Sequence, residues 1–410
     1  MRPEFDCVIV GAGLVGAATA TALSRQGLRV AVIEKRSRPV GRPSLNSDLR
    51  ALVLSVSSQR ILAHIGIWDR LSPHANRIRH IHVTDRGGFG AVRLDAGEAG
   101  LEALGWACPA GVLLHELLGA ARDHLGEDLA WSTEFDGFDI HSDRVTVNAT
   151  GRDGALRMVT RLLIGADGGD SDVRGALGIE IDAFDYAQTA IVADVEVEYP
   201  RADTAYERFT RQGPLAMIPL GGHRYVSVQC LDLESGAAAL ELDDGAYLAQ
   251  LQRRFGWRLG EIADLGARRS HALWQRRARS LDAPRAVIIG NAANTVHPNA
   301  AQGLNLGLRD VAALALALSA RPDPGDSLTL KTYAASRKAD HARTSFLTDL
   351  LARSFRSSSS AVTAGRRVAM AVAEFVPVLK HRLITEATGL TVLARAAQIA
   401  ERPSSERSRI

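Results

Sequence analysis

Cysteine is scarce: Cys7, Cys108 and Cys230 are the three in 410 residues. They are odd in number and far apart, so neither a disulfide framework nor a metal-ligand spacing is available, and a reducing compartment is expected. No apolar run reaches the ~18–20 residues that cross a bilayer. A signal peptide is not expected either, because Glu4 and Asp6 follow Arg2 and the first apolar stretch is broken by Gly11, Gly13 and Gly16. A dominant charge is also missing. Lys and Arg number 49 against 46 Asp and Glu, a formal net charge of +3. That excludes a nucleic-acid affinity built mainly on phosphate neutralisation. Apolar residues at 46% and charged residues at 23% argue against wholesale disorder, a collagen-like chain or a coiled coil. At roughly 150 residues per domain, two to three globular domains are expected.

The chemistry starts at the first residues. Phe5 to Val10 is a short apolar run suited to one buried parallel strand. Gly11-Ala12-Gly13-Leu14-Val15-Gly16 follows, then an Ala- and Leu-rich helix to Arg25, then the strand Leu28 to Ile33 with Glu34 at its end. This is a G-x-G-x-x-G dinucleotide unit. Gly11 allows the tight turn, Gly13 lets a pyrophosphate approach the backbone, and Gly16 lets helix and strand pack closely. The phosphates then lie on a helix N-terminus. Glu34, 18 residues after Gly16, is placed to accept ribose hydroxyls.

Two later patterns have the same character. Leu162 to Gly168 is an apolar strand entering a Gly-Asp-Gly turn, and Ser171 and Arg174 complete A-D-G-x-x-S-x-x-R. Ala286 to Ile289 is another buried strand, entering Gly290-Asn291-Ala292-Ala293. It continues through Thr295-Val296-His297-Pro298 and Gln302-Gly303-Leu304-Asn305 into an Ala- and Leu-rich helix.

Together the three patterns resemble the group A flavoprotein monooxygenases, and within them the ubiquinone-biosynthesis hydroxylases, the UbiH, UbiI and UbiF group. Further segments carry the likeness: Asp48 to Leu52, His82 to Gly87, Tyr186 to Ala190, Glu207 to Thr210 and Gly213 to Ala216. The segments from Tyr186 to Ala216, with Gly290 to Ala293, are most similar to the UbiH branch, the 2-polyprenyl-6-methoxyphenol hydroxylases. The likeness covers about residues 5 to 345. It implies an α/β protein of para-hydroxybenzoate-hydroxylase-like fold. A Rossmann-like FAD-binding domain would interleave with a mostly antiparallel β-sheet substrate domain, followed by C-terminal helices.

Site roles follow from the resemblance. Gly11, Gly13, Gly16 and Glu34 would hold the adenosine half of FAD, with Lys35 and Arg36 beside the adenine or ribose, or simply solvated. Arg50 would lie at the pyrophosphate or ribityl chain, and Asp167 at the ribose or pyrophosphate. Asn291 stands where the family usually has Asp and would meet the ribityl hydroxyls. Gly303, Leu304 and Asn305, after Pro298, would offer backbone N–H groups to the flavin. Ala110 and Gly111 depart from the family, which usually has a polar side chain there. His297 is the candidate proton relay, with loop positioning as the alternative. Leu215, Met217, Ile218 and Pro219 are the expected apolar substrate-pocket walls. No metal is expected.

The element order gives a discontinuous FAD domain over 1–74, 106–178 and 276–345, with a substrate domain over 75–105 and 179–275. Alternation in Arg224 to Gln229 supports a sheet with one buried face. There is no second glycine unit and no spare stretch of ~100 residues for one, so NADH or NADPH would bind transiently. The region 346–410 is expected to be helical with a frayed tail from Arg402 and a hinge at Ser357 to Ser360. Arg353, Arg356, Arg366, Arg367, Lys380 and Arg382 face one acid, Glu374, and Val368, Val372, Phe375, Val376 and Leu379 recur at helical spacing. This reads either as a core-covering helix or as a basic amphipathic surface for anionic lipid, broken at Pro377.

The implied function is an aromatic hydroxylase of ubiquinone biosynthesis. It would use NAD(P)H and O2 through a flavin hydroperoxide on a polyprenyl phenol, cytoplasmic and peripheral at the inner face of the cytoplasmic membrane. Other ubiquinone-biosynthesis proteins are expected partners, a homo-oligomer is left open, and nucleic acid is excluded. Two alternatives stand beside it: a hydroxylase of another ring position or of a pigment or antibiotic phenol, and an FAD-poor scaffold subunit of a lipid-biosynthesis complex.

Overall fold

The computed structural model describes residues 3–39, 41, 50–88, 91–210, 212–298, 301–319, 321–356 and 360–390, without the side chains of 353–356, 360–363 and 366. Asp48 and Leu49, Ser357 to Ser359 and the tail from Arg402 therefore lie outside the described residues, as do the side chains of Arg353, Arg356 and Arg366.

Phe5–Val10 is buried from Cys7 onward because a strand flanks it on each side. It pairs in parallel with Gly154–Gly165, Cys7 opposite Leu162, and with Val30–Glu34, Cys7 opposite Val30. Parallel pairing continues to Ala286–Ile288 on one side and Leu129–Trp131 on the other. Leu162, Leu163 and Ile164 are fully buried, each contributing about 1.5–3 kcal/mol by leaving water. Helix Leu14–Arg25 packs against helices Ala110–Leu125 and Gln302–Leu318. All the motif turns, after Val10, Gly165 and Ile288, thus leave the carboxyl ends of strands in one sheet, where open α/β sheets bind ligands.

The second sheet has eight strands in the order Asn294–Thr295, Ile262–Ala278, Ile181–Val197, Arg224–Asp232, Gly213–Gly221, Thr204–Thr210, His80–Asp85 and Ala91–Asp95. Pairing is antiparallel except between Thr204–Thr210 and His80–Asp85. One face is covered by helix Asp244–Phe255, whose Tyr247, Leu251 and Phe255 meet Tyr206, Leu215, Met217 and Tyr225. Asp243 caps this helix, accepting from the Ala246 N–H at 2.8 Å. The opposite face carries Val192, Ile218 and Val226 toward Ile78 and Ala107 of a small three-stranded sheet.

At the C-terminal end, Ser327–Arg356 packs on Gln302–Leu318, and Ser360–Phe375 packs on Ala91–Asp95. The chain breaks at Val376 and restarts as Pro377–Thr388 with proline in the first turn, where its missing N–H is not needed. Two of the six basic residues turn to protein partners, while Arg382 is exposed. Arg367 lies 3.6 Å from Asp85 and donates to the Gly87 carbonyl, and Lys380 meets Glu98 at 2.8 Å. Apolar residues also face outward: Val368, Val372, Val378 and Leu379 are exposed, with Phe375 at 81%. Of the basic residues expected to face lipid, Arg367 and Lys380 are instead held by Asp85 of the second sheet and by Glu98 in the turn Gly97–Ala99. Among the described residues no helix is long and apolar enough to cross a membrane.

Candidate active site

The turn after Val10 shows why its glycines stand where they do. Gly11 has φ +102°, and a Cβ there would lie 2.6 Å from the Ala166 carbonyl oxygen. A Cβ on Gly16 would lie 1.9 Å from the Gly11 oxygen. Both positions therefore serve packing within the protein. Gly13 differs. It starts helix Leu14–Arg25 with no side-chain cap, its φ of −71° is ordinary, and a Cβ there would meet nothing within 4 Å. The space in front of Gly13 is a cavity.

That cavity measures about 1500 Å³ and runs from Gly13 past Asn291 and the start of helix Gln302–Leu318 to the second sheet. It exceeds the ~300–1,000 Å³ that holds one ordinary ligand. Its walls include Arg36, Arg50, Asn291, Pro298, Gly303, Leu304 and Asn305. Asn291 is exposed into the cavity, and its side-chain amide bonds to no other described residue. Two helices begin at the cavity, at Leu14 and Gln302, bringing unsatisfied N–H groups and partial positive charge.

Glu34 is 4% exposed at the end of its strand. One carboxylate oxygen accepts the Ala12 N–H at 2.7 Å, the other the Arg36 guanidinium at 2.8 Å. Burial alone would raise its pKa, but these bonds outweigh burial and hold it below the ordinary value. Glu34 thus fixes the glycine turn and Arg36 before any ribose is considered. Asn305 is 2% exposed and satisfied on every side. Its Oδ1 accepts from the Ser55 N–H at 2.8 Å and the Ser58 hydroxyl at 2.6 Å, while Nδ2 donates to Val53 O and Ala301 O, both at 2.8 Å. It staples the helix start to strand Ala51–Ser55.

Several expected site residues lie elsewhere. Asp167 turns its carboxylate to the Val173 N–H at 3.1 Å at the start of helix Asp172–Ala176, and its neighbours Ala166, Gly168 and Gly169 line the cavity instead. Lys35 is exposed and not part of the wall. His297 is 1% exposed, its ring edge-on to Tyr186 at 4.7 Å, and it does not line the cavity. The strand Gly213–Gly221 presents Pro214, Ala216 and Ile218 to the cavity, whereas Leu215 and Met217 point into the opposite core and Pro219 is off the wall. Side chains alternate along a strand, so the adjacent residues Met217, Ile218 and Pro219 cannot share one face with Leu215.

Three features escape a reading of local motifs. Arg174 donates to the Ala292 and Gly169 carbonyls, each at 2.9 Å, tying two cavity turns together. Asp310, fully buried, accepts from Gly290 N, Arg337 and His341. Arg337 and His341 are one helical turn apart, a spacing that offered a signal. Glu207 lines the cavity from the second sheet.

The residues fit FAD: an open approach at Gly13, two helix N-termini, and a free amide at Asn291. Comparison with known proteins agrees. Residues 4–345 match the model of a family described as FAD binding domain. The chain is 35% identical to the "Ubiquinone hydroxylase UbiL" of Rhodospirillum rubrum, over 94% of this chain and 89% of the relative. It is 30% identical to the "3-demethoxyubiquinol 3-hydroxylase" of Escherichia coli, over 94% and 98% respectively. Among solved structures, the p-nitrophenol 4-monooxygenase of Pseudomonas putida superposes with a TM-score of 0.77 at 18% identity, over 94% of this chain and 98% of that one. This chain belongs to the FAD-binding domain family and, within it, to the group A flavoprotein monooxygenases. It is an FAD-dependent hydroxylase.

When bound, FAD takes electrons from NAD(P)H and uses them to activate O2. The protein supplies the rest. Gly13 and the first turn at Leu14 would receive the pyrophosphate, and Asn291 the ribityl chain. The start of helix Gln302–Leu318 would set positive potential against the ring. The apolar sheet face excludes water from the acceptor.

Proposed function

We propose that this monooxygenase hydroxylates the ring of a polyprenyl phenol in ubiquinone biosynthesis, 2-polyprenyl-6-methoxyphenol or a precursor open at another ring position. The character of the cavity carries this reading. Its sheet wall includes Ile81, Val83, Ala205, Phe209, Ala216 and Ile218, with the carboxyl of Glu207 among them. The cavity-lining arginines Arg276, Arg309 and Arg343 are each paired, with Asp170, Asp340 and Glu386. A substrate carboxylate would have to displace one of these partners, whereas a prenylated ring needs none. Leu347, Leu350 and Leu383 line the cavity and are also exposed at the surface, an apolar path for a long tail. The names of the relatives support the same chemistry.

We place the enzyme at the inner face of the cytoplasmic membrane, meeting the lipid through the exposed apolar residues of the last two helices. The direct test is aerobic incubation of the purified yellow protein with 2-geranyl-6-methoxyphenol and NADH or NADPH. Mass spectrometry should find the phenol with one added oxygen. Consumption of NAD(P)H that yields only hydrogen peroxide across a set of prenylated phenols would overturn the reading.

A further inference from the structure

Four carboxylates line the cavity: Asp170, Glu207, Asp340 and Glu386. Three are ion-paired, Asp170 with Arg276, Asp340 with Arg309 and Arg337, and Glu386 with Arg343. Among the described residues Glu207 has no such partner. It lies in strand Thr204–Thr210, opposite Val83 on one side and Ala216 on the other. Its neighbours on the same face, Ala205 and Phe209, are apolar. The alternate residues Tyr206 and Arg208 turn the other way, Tyr206 against Phe255 and Arg208 to the Phe255 carbonyl.

An unpaired carboxyl on an apolar wall lowers stability and needs a reason. Had the position served packing alone, an aliphatic residue like its neighbours would serve better. A ligand that brings its own hydrogen-bond donor supplies the reason. We propose that Glu207 is the group that receives the ring hydroxyl of the phenol and takes its proton during hydroxylation. This rests on the phenol reading above. The phenolic O–H bond breaks, a carboxyl O–H bond forms on Glu207, and the electron pair stays on the ring oxygen. That pair makes the ring carbons beside it better nucleophiles toward activated oxygen. The proton returns when the product phenol is restored.

Burial raises the Glu207 pKa to about 7. It is half-buried on the cavity wall, where a bound ligand would shield it further from water. A carboxylate of this basicity is a better match for a phenol proton than an ordinary one. The Cys230 thiol, also on the cavity wall, feels the Glu207 charge, and burial keeps it neutral. The other charged groups of the wall are the three pairs already named together with Arg36 and Arg50, and His271 adds a further titratable ring.

The test compares wild-type holoenzyme with Glu207→Gln and Glu207→Asp, using 2-geranyl-6-methoxyphenol as probe. Wild-type turnover should rise through about pH 7 as Glu207 ionises. Glu207→Gln should keep its FAD, lose that limb of the profile, and fall in kcat by about 10²-fold or more. Glu207→Asp should recover part of the rate with a shifted profile. Without substrate, Glu207→Gln should melt higher than wild type at pH 8, because an unpaired charge is removed. A residue with a purely structural role would melt lower. Equal kcat, KM and pH profile in wild type and Glu207→Gln would overturn the assignment while leaving the phenol reading intact, as would a lower Tm with lost FAD. A wild-type enzyme that neither binds nor hydroxylates the probe would overturn the phenol reading itself, and the role of Glu207 with it.

Discussion

Asp310 Oδ2 accepts the backbone N–H of Gly290 at 3.0 Å, joining the buried side of helix Gln302–Leu318 to the turn that presents Asn291. The same carboxylate accepts Arg337 and His341 on its other oxygen, both at 2.7 Å. Arg337 also reaches Asp340 at 2.6 Å, and Asp340 pairs with Arg309 on the cavity wall. A chain of buried charges therefore runs from the helix Ser327–Arg356 to the turn at Gly290 and to Arg309 of helix Gln302–Leu318. Its job is positional: the turn at Gly290, with φ +60°, is held from behind and Asn291 is left free in front.

Asp310→Asn should weaken this frame. Removing one partner of a buried ion pair leaves the other uncompensated and costs about 3 kcal/mol. Burial alone would raise the Asp310 pKa, but His341 and Arg337 outweigh it and hold it at about 2. The stabilisation is therefore complete above pH 4 or so and is lost as pH falls toward 2. Thermal melts should separate wild type and Asp310→Asn at pH 7 and bring them together only as pH falls to about 2. Flavin fluorescence should report weaker FAD retention in the variant at pH 7.

Gly13→Val and Gly16→Val should fail differently. The valine at 13 has room in the protein and an allowed backbone, so the fold should persist while the pyrophosphate is blocked. At 16 the new Cβ collides with the Gly11 carbonyl, so the turn itself must move. Circular dichroism with FAD content distinguishes them: Gly13→Val folded and colourless, Gly16→Val poorly folded. Full FAD occupancy in Gly13→Val would refute the cofactor placement.

How much of this the sequence discloses depends on how local the cause is. Gly11 to Gly16 and Glu34 are legible because one turn dictates their chemistry. The cavity side of Gly213–Gly221 is not. Both sets of alternating residues, Pro214, Ala216 and Ile218 against Leu215 and Met217, are apolar or small, so the pattern cannot choose a face. The choice is made by Tyr247 and Phe255, which cover one side. His297 is misleading for a similar reason, since the motif carries the ring close to the flavin region but Tyr186, far away in sequence, claims it. The C-terminal basic residues are decided by partners still more distant: Lys380 and Glu98 are 282 positions apart.

Asn291 offers a graded test of the ribityl contact. Its side chain is exposed in the cavity with no partner among the described residues, so substitutions there should leave stability nearly unchanged. Asn291→Asp should hold FAD as well or better, since charged acceptors make roughly twofold stronger hydrogen bonds. Asn291→Leu should weaken FAD by about 1–3 kcal/mol by leaving a hydroxyl unpaired. Fluorescence titration of the three apoproteins with FAD measures the order; equal affinities would put the ribityl chain elsewhere.

The last prediction tests the proposed membrane contact. A basic surface would bind anionic vesicles at low salt and release them at high salt. The structure argues for a different dependence. Arg367 and Lys380 are engaged with Asp85 and Glu98, while Val368, Phe375 and Val378 are turned outward at 63%, 81% and 66% exposure. Each such side chain contributes about 1.5–3 kcal/mol when it leaves water. Flotation with liposomes should therefore persist in high salt. It should be lost when Val368, Phe375 and Val378 are changed to Ser, and it should change little in Arg382→Gln, whose side chain is exposed. Circular dichroism must show the triple variant folded. Release of the wild-type protein by salt, with the triple variant still floating, would return the membrane contact to the basic residues. The apolar path past Leu347, Leu350 and Leu383 would then need another way to the substrate.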